Sequence, residues 1–201
     1  KYVALHYNEL SFPFRRYQIG KVYRGERAQR GRFREFYQAD IDIIGDGKLD
    51  ITNEAEIPSI IYQTFSTLGL KRFQIRVNNR KILNGFYALL GLTEKSVFDQ
   101  GLSELNTVVK YLADFGVPAE NFAVDLTIAR GLDYYTGTVY ETTLLDHPEI
   151  GSVCSGGRYD NLAEFYTDKQ LPGVGISIGL TRLFFVLEDQ GYLNDALITA
   201  P

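Results

Sequence analysis

Two segments of alternating residues constrain the fold of this chain more than any other feature of its sequence. They are RYQIGKVYR at 16–24 and FREFYQADIDII at 33–44, joined by the charged stretch ERAQRGR, with Gly31 near the tip of the connection. A period of two is typical of β-strands, because successive side chains point to opposite faces of a sheet. The two segments therefore predict one long antiparallel β-hairpin.

The rest of the chain mixes strand-like and helix-like patterns without a strict β-α-β order. Residues 1–10 are predicted to end a helix, and residues 92–101 are the least regular stretch and a candidate boundary. Further strands are predicted at 71–79, 122–129, 137–145 and 173–178, and helices at 53–68, 81–91, 102–116 and from Leu180 to before Gly191. This order favours the α+β class, with an antiparallel sheet flanked by helices.

Positive charge is concentrated in a short part of a mildly acidic chain. The 201 residues carry 21 Lys and Arg against 25 Asp and Glu, a net charge of -4 that argues against a basic nucleic-acid coat. Residues 15–34 alone hold eight cations and one acid. Because a guanidinium fork binds two phosphate oxygens at once, this segment predicts an anionic ligand. A solvated polar face on an edge hairpin explains the charge about equally well.

Several functional classes are excluded by residues that the sequence lacks. One cysteine, Cys154, allows neither an intrachain disulfide nor a cysteine-rich zinc site. The two histidines, His6 and His147, lie beside no convincing nucleophile motif for a hydrolase triad. No apolar run approaches about 20 residues, so no membrane span is predicted and a cytoplasmic location is expected. The absence of methionine predicts that the chain is a fragment of a longer protein.

One face of the predicted hairpin is polar. The even positions of 33–44 share one face, and the other face carries Phe33, Tyr37, Ala39, Ile41 and Ile43. Arg24 is also at an even position, on the partner segment. Arg24, Gln38 and Asp42 are therefore expected to lie together on one polar face of the hairpin, the polar floor. Asp40 and Asp42, beside many arginines, are expected to bind a cationic or hydrogen-bonding group rather than to act as an acid/base pair.

Tyrosines on a turn form a second candidate cluster. The segment IARGLDYYTGTVYE brings Arg130, Tyr134 and Tyr135 into a turn between two strands, which suits a small polar ligand better than a dry core. Downstream, SGGRYD adds Tyr159. For SGGRYD, spacing alone favours a different interpretation, a surface turn with Tyr159 packed in the core.

A strand that runs into a helix forms the third candidate, GVGISIGLTRL at 173–183. Its glycines are spaced G-x-G-x-x-x-G and no acidic residue on a following strand completes a dinucleotide-binding fingerprint, so that interpretation is rejected. Arg182 in the first helical turn still suits a flat base and a phosphate. Close helix–sheet packing explains the glycines about equally well.

These segments together resemble one family more specifically than any of them does alone. YRGERAQRGRFREFYQADIDIIG resembles motif 2 of the class II aminoacyl-tRNA synthetases in its histidyl form, and GVGISIGLTRL resembles motif 3. ARGLDYYTGTVYE and SGGRYD are similar to the two histidine-specific signatures of the histidyl-tRNA synthetases. The resemblance implies an antiparallel sheet of six to seven strands flanked by helices. It also implies ATP as a substrate with Mg²⁺, and a two-step transfer of histidine to tRNA(His).

The resemblance also implies roles for individual residues at the nucleotide. Arg24 would contact the α-phosphate, and Glu26 would lie near the adenine. Arg32 would approach the γ-phosphate, and Arg182 would hold the nucleotide from the far side. Arg130 would be the catalytic arginine, placed where other class II enzymes use a metal ion, and would also border the bound histidine.

For the amino acid, the resemblance implies a pocket that reads both ends of histidine. Gln38 would bind the α-amino group. Asp42 would pair with Tyr135 to clamp the imidazole, and Tyr134 and Tyr159 would line the pocket. A carboxylate and a phenol can satisfy both ring nitrogens, so an analogue lacking them would leave buried polar groups unpaired.

Parts of the family pattern have no counterpart in this chain. The segment before motif 2, the C-terminal anticodon-binding domain and the helical insertion expected near 96–100 are missing, so residues 1–201 are expected to be a partial catalytic core. A homodimer that binds histidine, ATP and tRNA(His) and no membrane is implied for the parent protein. Two alternatives stay open at this point: the synthetase-like regulatory subunit of ATP phosphoribosyltransferase, and a stand-alone nucleotide- or amino-acid-binding domain.

Overall fold

A single sheet of seven strands organises the part of the chain that the computed structural model describes, residues 1–25, 27, 33–89, 91, 95–131, 134–189 and 191. The side chains of 86–89 and 95 lie outside that description. The strands are β1 (Phe14–Tyr23), β2 (Glu35–Ile44), β3 (Phe73–Asn79), β4 (Phe122–Val124), β5 (Thr138–Leu144), β6 (Ser152–Tyr159) and β7 (Gly173–Gly179). They lie in the order β1-β2-β7-β6-β5-β3-β4.

Antiparallel pairing dominates this sheet, and only β3 and β4 pair in parallel among the described strands. The helices are α1 (Tyr2–Leu5), α2 (Thr52–Thr67), α3 (Arg80–Leu89), α4 (Lys95–Asp114) and α5 (Leu180–Asp189). The predicted α+β class and the antiparallel sheet flanked by helices are confirmed. None of the helices described is long and apolar enough to span a bilayer.

The hydrophobic core lies between one face of the sheet and the helices. In α4 the buried residues Leu105, Val108 and Leu112 recur at helical spacing, so they form one apolar stripe. On β2 the buried Ile43 faces this core, whereas its neighbour Asp42 faces the other way. The alternation that predicted the hairpin therefore also leaves one face of the sheet free of the core.

Strand β6 is absent from the sequence-based prediction, which interpreted SGGRYD as a surface turn. Glycines interrupt the alternation there, and the sheet explains why they are present. A Cβ at Gly156 would lie 2.0 Å from the backbone oxygen of Gly175 on β7. Only glycine allows this close approach of the two strands, so a residue pattern typical of loops occurs in the middle of the sheet.

Two other predictions are wrong in their extent. The strand predicted at 122–129 ends at Val124, because Asp125 accepts hydrogen bonds from the backbone N–H and hydroxyl of Thr127 and turns the chain. The stretch 92–101, predicted to be the least regular of the chain, is helical from Lys95 onward. That turn of α4 is held by tertiary contacts, since Phe98 packs against the core.

Candidate active site

Neighbouring strands place a row of functional side chains on the face of the sheet that does not carry the core. Directly opposite residues in a sheet share a face, and the register aligns them from β1 to β6. One row runs across four strands through Arg16, Asp42, Gly175 and Gly157. The next row is Gln18, Asp40, Ser177 and Ser155.

A cavity of about 870 Å³ opens over these rows. Asp42 lies in its lining and has both carboxylate oxygens engaged. The Tyr159 hydroxyl donates to Oδ1 at 2.7 Å, and Arg16 Nη2 lies 2.6 Å from Oδ2. Gly175 makes room for this carboxylate, because a Cβ there would lie 2.1 Å from Asp42 Oδ1.

Tyrosine hydroxyl groups line the same cavity beside Asp42. The rings of Tyr134 and Tyr135 lie 4.2 Å apart, and both residues border the cavity together with Tyr159. Burial, reinforced by the hydrogen bond with Tyr134, raises the pKa of Tyr135 above its ordinary value. Burial and the Asp42 carboxylate likewise raise the pKa of Tyr159. These phenols therefore stay protonated near neutral pH, and Tyr159 gives its one hydroxyl hydrogen to Asp42.

Three arginines line a second, smaller cavity of about 300 Å³. Arg24 lies over the Phe36 ring, with its guanidinium carbon 4.9 Å from the ring centroid. Arg182 Nη1 donates to the backbone oxygen of Ser152 at 2.6 Å. A cavity with three guanidinium groups and an aromatic face suits a ligand that combines phosphates with a flat base.

Arg130 enters the smaller cavity from the turn before β5 and is held by two acceptors. Its Nη1 donates to the Ser155 hydroxyl at 2.8 Å, and its Nη2 lies 3.4 Å from Glu141 Oε1. The two acceptors come from neighbouring strands, since Glu141 pairs with Ser155 across β5 and β6. The sheet thus holds a long, partly exposed cation in a defined place.

A polar wall separates the two cavities and belongs to both. Gln38, Ser155 and Ser177 border each of them. Gln38 Nε2 donates to Asp40 at 2.7 Å and to Ser177 at 3.1 Å, and Gln38 Oε1 accepts from Arg24 at 3.3 Å. The Ser177 hydroxyl donates to Asp40 at 2.5 Å. Ligands bound in the two cavities would therefore be separated only by the width of one side chain.

The structure brings together most of the residues that the sequence singled out. Arg24, Arg130 and Arg182 border the smaller cavity, and Asp42, Tyr134, Tyr135 and Tyr159 border the larger one, with Gln38 between them. Glu26 and Arg32 lie outside the described residues. The tyrosine that donates a hydrogen bond to Asp42 in the structure is Tyr159, whereas Tyr135 lies in the same cavity wall.

Sequence reasoning did not name Arg16, Ser155, Ser177 and Glu141 as site residues. Arg16 and Arg24 both occupy even positions of the first predicted strand, so the alternation could have placed Arg16 on the polar face. Ser177 shares the parity of Gly175. Ser155 carries no such signal, because it lies on the strand that the sequence does not predict.

Comparison with known proteins shows a similarity to one family. A family model described as histidyl-tRNA synthetase matches residues 88–183. A histidine–tRNA ligase of Clostridium tetani is 52% identical over 254 aligned positions, which cover 97% of this chain and 58% of the relative. This chain is similar to histidyl-tRNA synthetases over nearly its whole length. It spans little more than half the length of the curated relatives that it matches.

Solved structures of the family share the fold. The crystal structure of histidyl-tRNA synthetase from Nostoc sp. superposes with a TM-score of 0.86 at 38% identity and covers 96% of this chain, which spans 58% of that protein. A Bacillus halodurans protein described as an ATP phosphoribosyltransferase regulatory subunit/histidyl-tRNA synthetase superposes with a TM-score of 0.75 at 20% identity. It covers 92% of this chain, which spans 61% of that protein. At that identity the second likeness concerns the fold alone.

Proposed function

We propose that this protein activates histidine with ATP and transfers it to the 3′ end of tRNA(His). The observation that carries the proposal is the pair of adjoining cavities, one lined by three arginines and the other by a carboxylate and phenols. They share the wall formed by Gln38, Ser155 and Ser177. An amino acid in one cavity and a nucleotide in the other would meet at that wall, where a bond between them can form.

In the first step the histidine carboxylate attacks the α-phosphorus of ATP. A bond forms between a carboxylate oxygen and phosphorus, the bond to the bridging oxygen breaks, and pyrophosphate leaves with its electron pair. In the second step a hydroxyl of the terminal adenosine attacks the carbonyl carbon and passes its proton to a phosphate oxygen of AMP, which leaves as the bond between the carbonyl carbon and the phosphate oxygen breaks. Neither step needs a nucleophile from the protein, which agrees with the absence of a hydrolase triad from the sequence.

Catalysis of the first step would rest on position and charge. Arg24 and Arg130 border the cavity from β1's end and from the turn before β5, so they can approach the reacting phosphoryl group from different sides. Arg182 lies at the start of α5 and would hold the nucleotide. Fixed donors aimed at developing negative charge lower the barrier without reorganising during the reaction.

In the larger cavity the chemistry suits the imidazole and ammonium groups of histidine. Asp42 can accept a hydrogen bond from one ring nitrogen, while the hydroxyl of Tyr135 can donate to the other. The walls beside them come from Tyr134 and Tyr159. Gln38 Oε1, with a second lone pair beyond its bond from Arg24, can accept from the α-ammonium group.

The described side chains form no cluster of three or more metal-ligating groups that could hold Mg²⁺ by themselves. Mg²⁺ often binds through substrate phosphates and one or two carboxylates, and Glu141, which pairs with Arg130, is a carboxylate beside the arginines. The arginines would supply protein-borne charge stabilisation, and Mg²⁺ would enter together with the phosphates of ATP. Glu26 near the adenine and Arg32 near the γ-phosphate complete the proposed nucleotide site, outside the described residues.

The parent protein is proposed to be a cytoplasmic homodimer, as the family implies. An internal insertion present in relatives is proposed to be missing near 96–100, where α4 runs continuously through this chain. The alignment with the Clostridium tetani ligase supports this, because it extends over 254 positions but includes only 97% of the 201 residues, about 195, which leaves about 59 positions unmatched. Those positions hold residues of the relative that have no counterpart here.

Histidine-dependent exchange of pyrophosphate into ATP tests the proposal in the full-length protein. We expect exchange with histidine and none with other amino acids. The rival function is the regulatory subunit of ATP phosphoribosyltransferase, which has no need of Arg24, Gln38 and Arg130 around a nucleotide. Lack of exchange together with stimulation of a phosphoribosyltransferase would establish the rival instead.

Replacing Arg130 with alanine separates catalysis from binding. We expect Arg130→Ala to slow adenylate formation by about 10²- to 10³-fold, because it removes a donor aimed at the phosphoryl group. The dissociation constant of histidine, measured by calorimetry, should change far less. Arg72→Ala is the matched control, since Arg72 is an exposed arginine that pairs with Asp146 far from both cavities. A rate equal to that of the wild type would remove the catalytic role of Arg130.

A further inference from the structure

We infer that Arg16 is a specificity-determining residue that neutralises the larger cavity, so that the site binds the imidazole of histidine in its uncharged form. The inference rests on the proposed function, because it concerns the same amino acid in the same cavity. It assigns a role to a residue on the edge strand β1, outside the motifs that point to the family.

The contacts of Arg16 show how one guanidinium group is directed at the site. Its Nη2 lies 2.6 Å from Asp42 Oδ2, and its Nη1 donates to Gln18 Oε1 at 2.9 Å. Gln18 is the next residue on the same face of β1, so it holds the other arm of the fork. Asp42 is the more enclosed partner, with 15% of its side chain exposed against 34% for Arg16. The ion pair is therefore partly shielded from water, where charge balance matters more than on an open surface.

In the described part of the chain, the charges that line the larger cavity balance only when Arg16 is counted. The charged side chains that line it among the described residues are Lys1, Arg16, Asp40 and Asp42. Within the ranges that the structure describes, β6 and the turn before β5 contribute only tyrosines as titratable groups, including Tyr135 and Tyr159, and β7 contributes only Gly175, Ile176 and Ser177. Removing Arg16 leaves two carboxylates on one strand face with a single lysine at the cavity margin.

Charge balance decides which protonation state of the ligand binds. A neutral imidazole offers one donor and one acceptor, which match a carboxylate already paired with arginine and a tyrosine hydroxyl. An imidazolium ion would add a positive charge beside Arg16 and be repelled. Without Arg16, the unpaired Asp42 carboxylate would favour the imidazolium ion instead. The same balance discriminates against amino acids with cationic side chains.

Equilibrium binding of histidine at pH 8 and pH 6 tests this inference. With an imidazole pKa of about 6.5, a site that takes only the neutral ring should weaken about fourfold between these pH values. We expect the wild type to follow that trend. Arg16→Gln should weaken binding about tenfold at pH 8 and bind histidine at least as well at pH 6 as at pH 8. Arg16→Met removes the same charge and should behave alike.

Three comparisons make the result specific to charge. Arg16→Lys should restore the wild-type direction of the pH dependence. Arg15→Gln is the matched control, because Arg15 is the neighbouring arginine on the opposite face and pairs with Glu56 at 2.7 Å. Triazolylalanine, whose ring stays uncharged in this range, should lose affinity in Arg16→Gln equally at both pH values.

The outcomes separate this inference from the proposed function. Wild-type protein that neither binds histidine nor exchanges pyrophosphate would overturn both. Normal exchange by the wild type, with Arg16→Gln still about fourfold weaker at pH 6 than at pH 8, would overturn the role of Arg16 alone. Reversal of the pH trend in both uncharged variants, with recovery in Arg16→Lys, establishes it.

Discussion

Gly175 shows how a single residue shapes the candidate pocket. It lies opposite Asp42 in the register of β2 and β7, and the Asp42 carboxylate occupies the space that a side chain at 175 would fill. From the sequence, this glycine suits either a base-binding turn or close helix–sheet packing. The structure gives it a different role, because its missing side chain admits the carboxylate to the larger cavity.

Gly175→Ala is expected to raise the KM for histidine at least about tenfold, a cost of about 1.4 kcal/mol in binding. The added methyl group would displace Asp42 Oδ1, which it would otherwise approach to 2.1 Å. Steady-state pyrophosphate exchange measures the change, and thermal unfolding checks that the variant is folded. Gly20→Ala is the matched control, because no atom lies within 4 Å of a Cβ built there. An unchanged KM in Gly175→Ala would mean that Asp42 does not contact histidine.

At the scale of elements, a buried ion pair joins α2 to the central strands. Arg158 Nη1 on β6 donates to Glu54 Oε1 on α2 at 2.7 Å, and the Thr138 hydroxyl on β5 donates to the other carboxylate oxygen. The Tyr140 hydroxyl donates to the backbone oxygen of Glu54 at 2.6 Å. Burial raises the pKa of Glu54, against the effect of Arg158. The helix thus supports the strand that carries Tyr159 into the cavity.

Arg158→Met is expected to lower the free energy of unfolding by about 3 to 5 kcal/mol, because it leaves the Glu54 carboxylate buried without its cation. The double variant Arg158→Met with Glu54→Met should recover most of that loss, since both charges are then removed. Urea denaturation of the two variants and of Glu54→Met completes the cycle. Arg72→Met, at an exposed ion pair, should change stability by less than about 0.5 kcal/mol. A loss for Arg158→Met as small as that control would contradict the argument.

At the scale of the whole molecule, Cys154 reports on the integrity of the sheet. It lies on β6, the fourth of seven strands in the sheet order, and is 2% exposed. Burial raises the pKa of its thiol well above the ordinary range, so the reactive thiolate is scarce in the folded state. Cys154 is thus a small, buried residue of the sheet with a free thiol.

Labelling of Cys154 by a maleimide is expected to require opening of the sheet. We expect the native protein to react at least about 10³-fold more slowly than the urea-unfolded chain, because reaction waits for a rare open state. ATP should slow the reaction further by binding only the folded state. The unfolded chain should take up one label, as its single cysteine requires. Native labelling as fast as that of the unfolded chain would show that β6 is not held in the sheet.

The local sequence pattern predicted a strand or helix correctly where the periodicity of the side chains matched their burial. The alternation in 33–44 predicted β2 and the face on which Gln38 and Asp42 lie, and the stripe around Leu105 predicted α4. The local pattern failed for β6, where Gly156 allows close contact with another strand, β7. It also failed at Asp125, where one side chain ends a strand by bonding the next turn.

The sequence by itself determined the α+β class, the hairpin, the polar floor of β2 and the family motifs, because these depend on periodicity and on neighbouring residues. Only the tertiary structure decided which side chains meet. Arg16 reaches Asp42, Ser155 reaches Arg130 and Arg158 reaches Glu54 through strand register and helix packing. Those contacts join residues that are 25 to more than 100 positions apart, and no local pattern encodes their pairing.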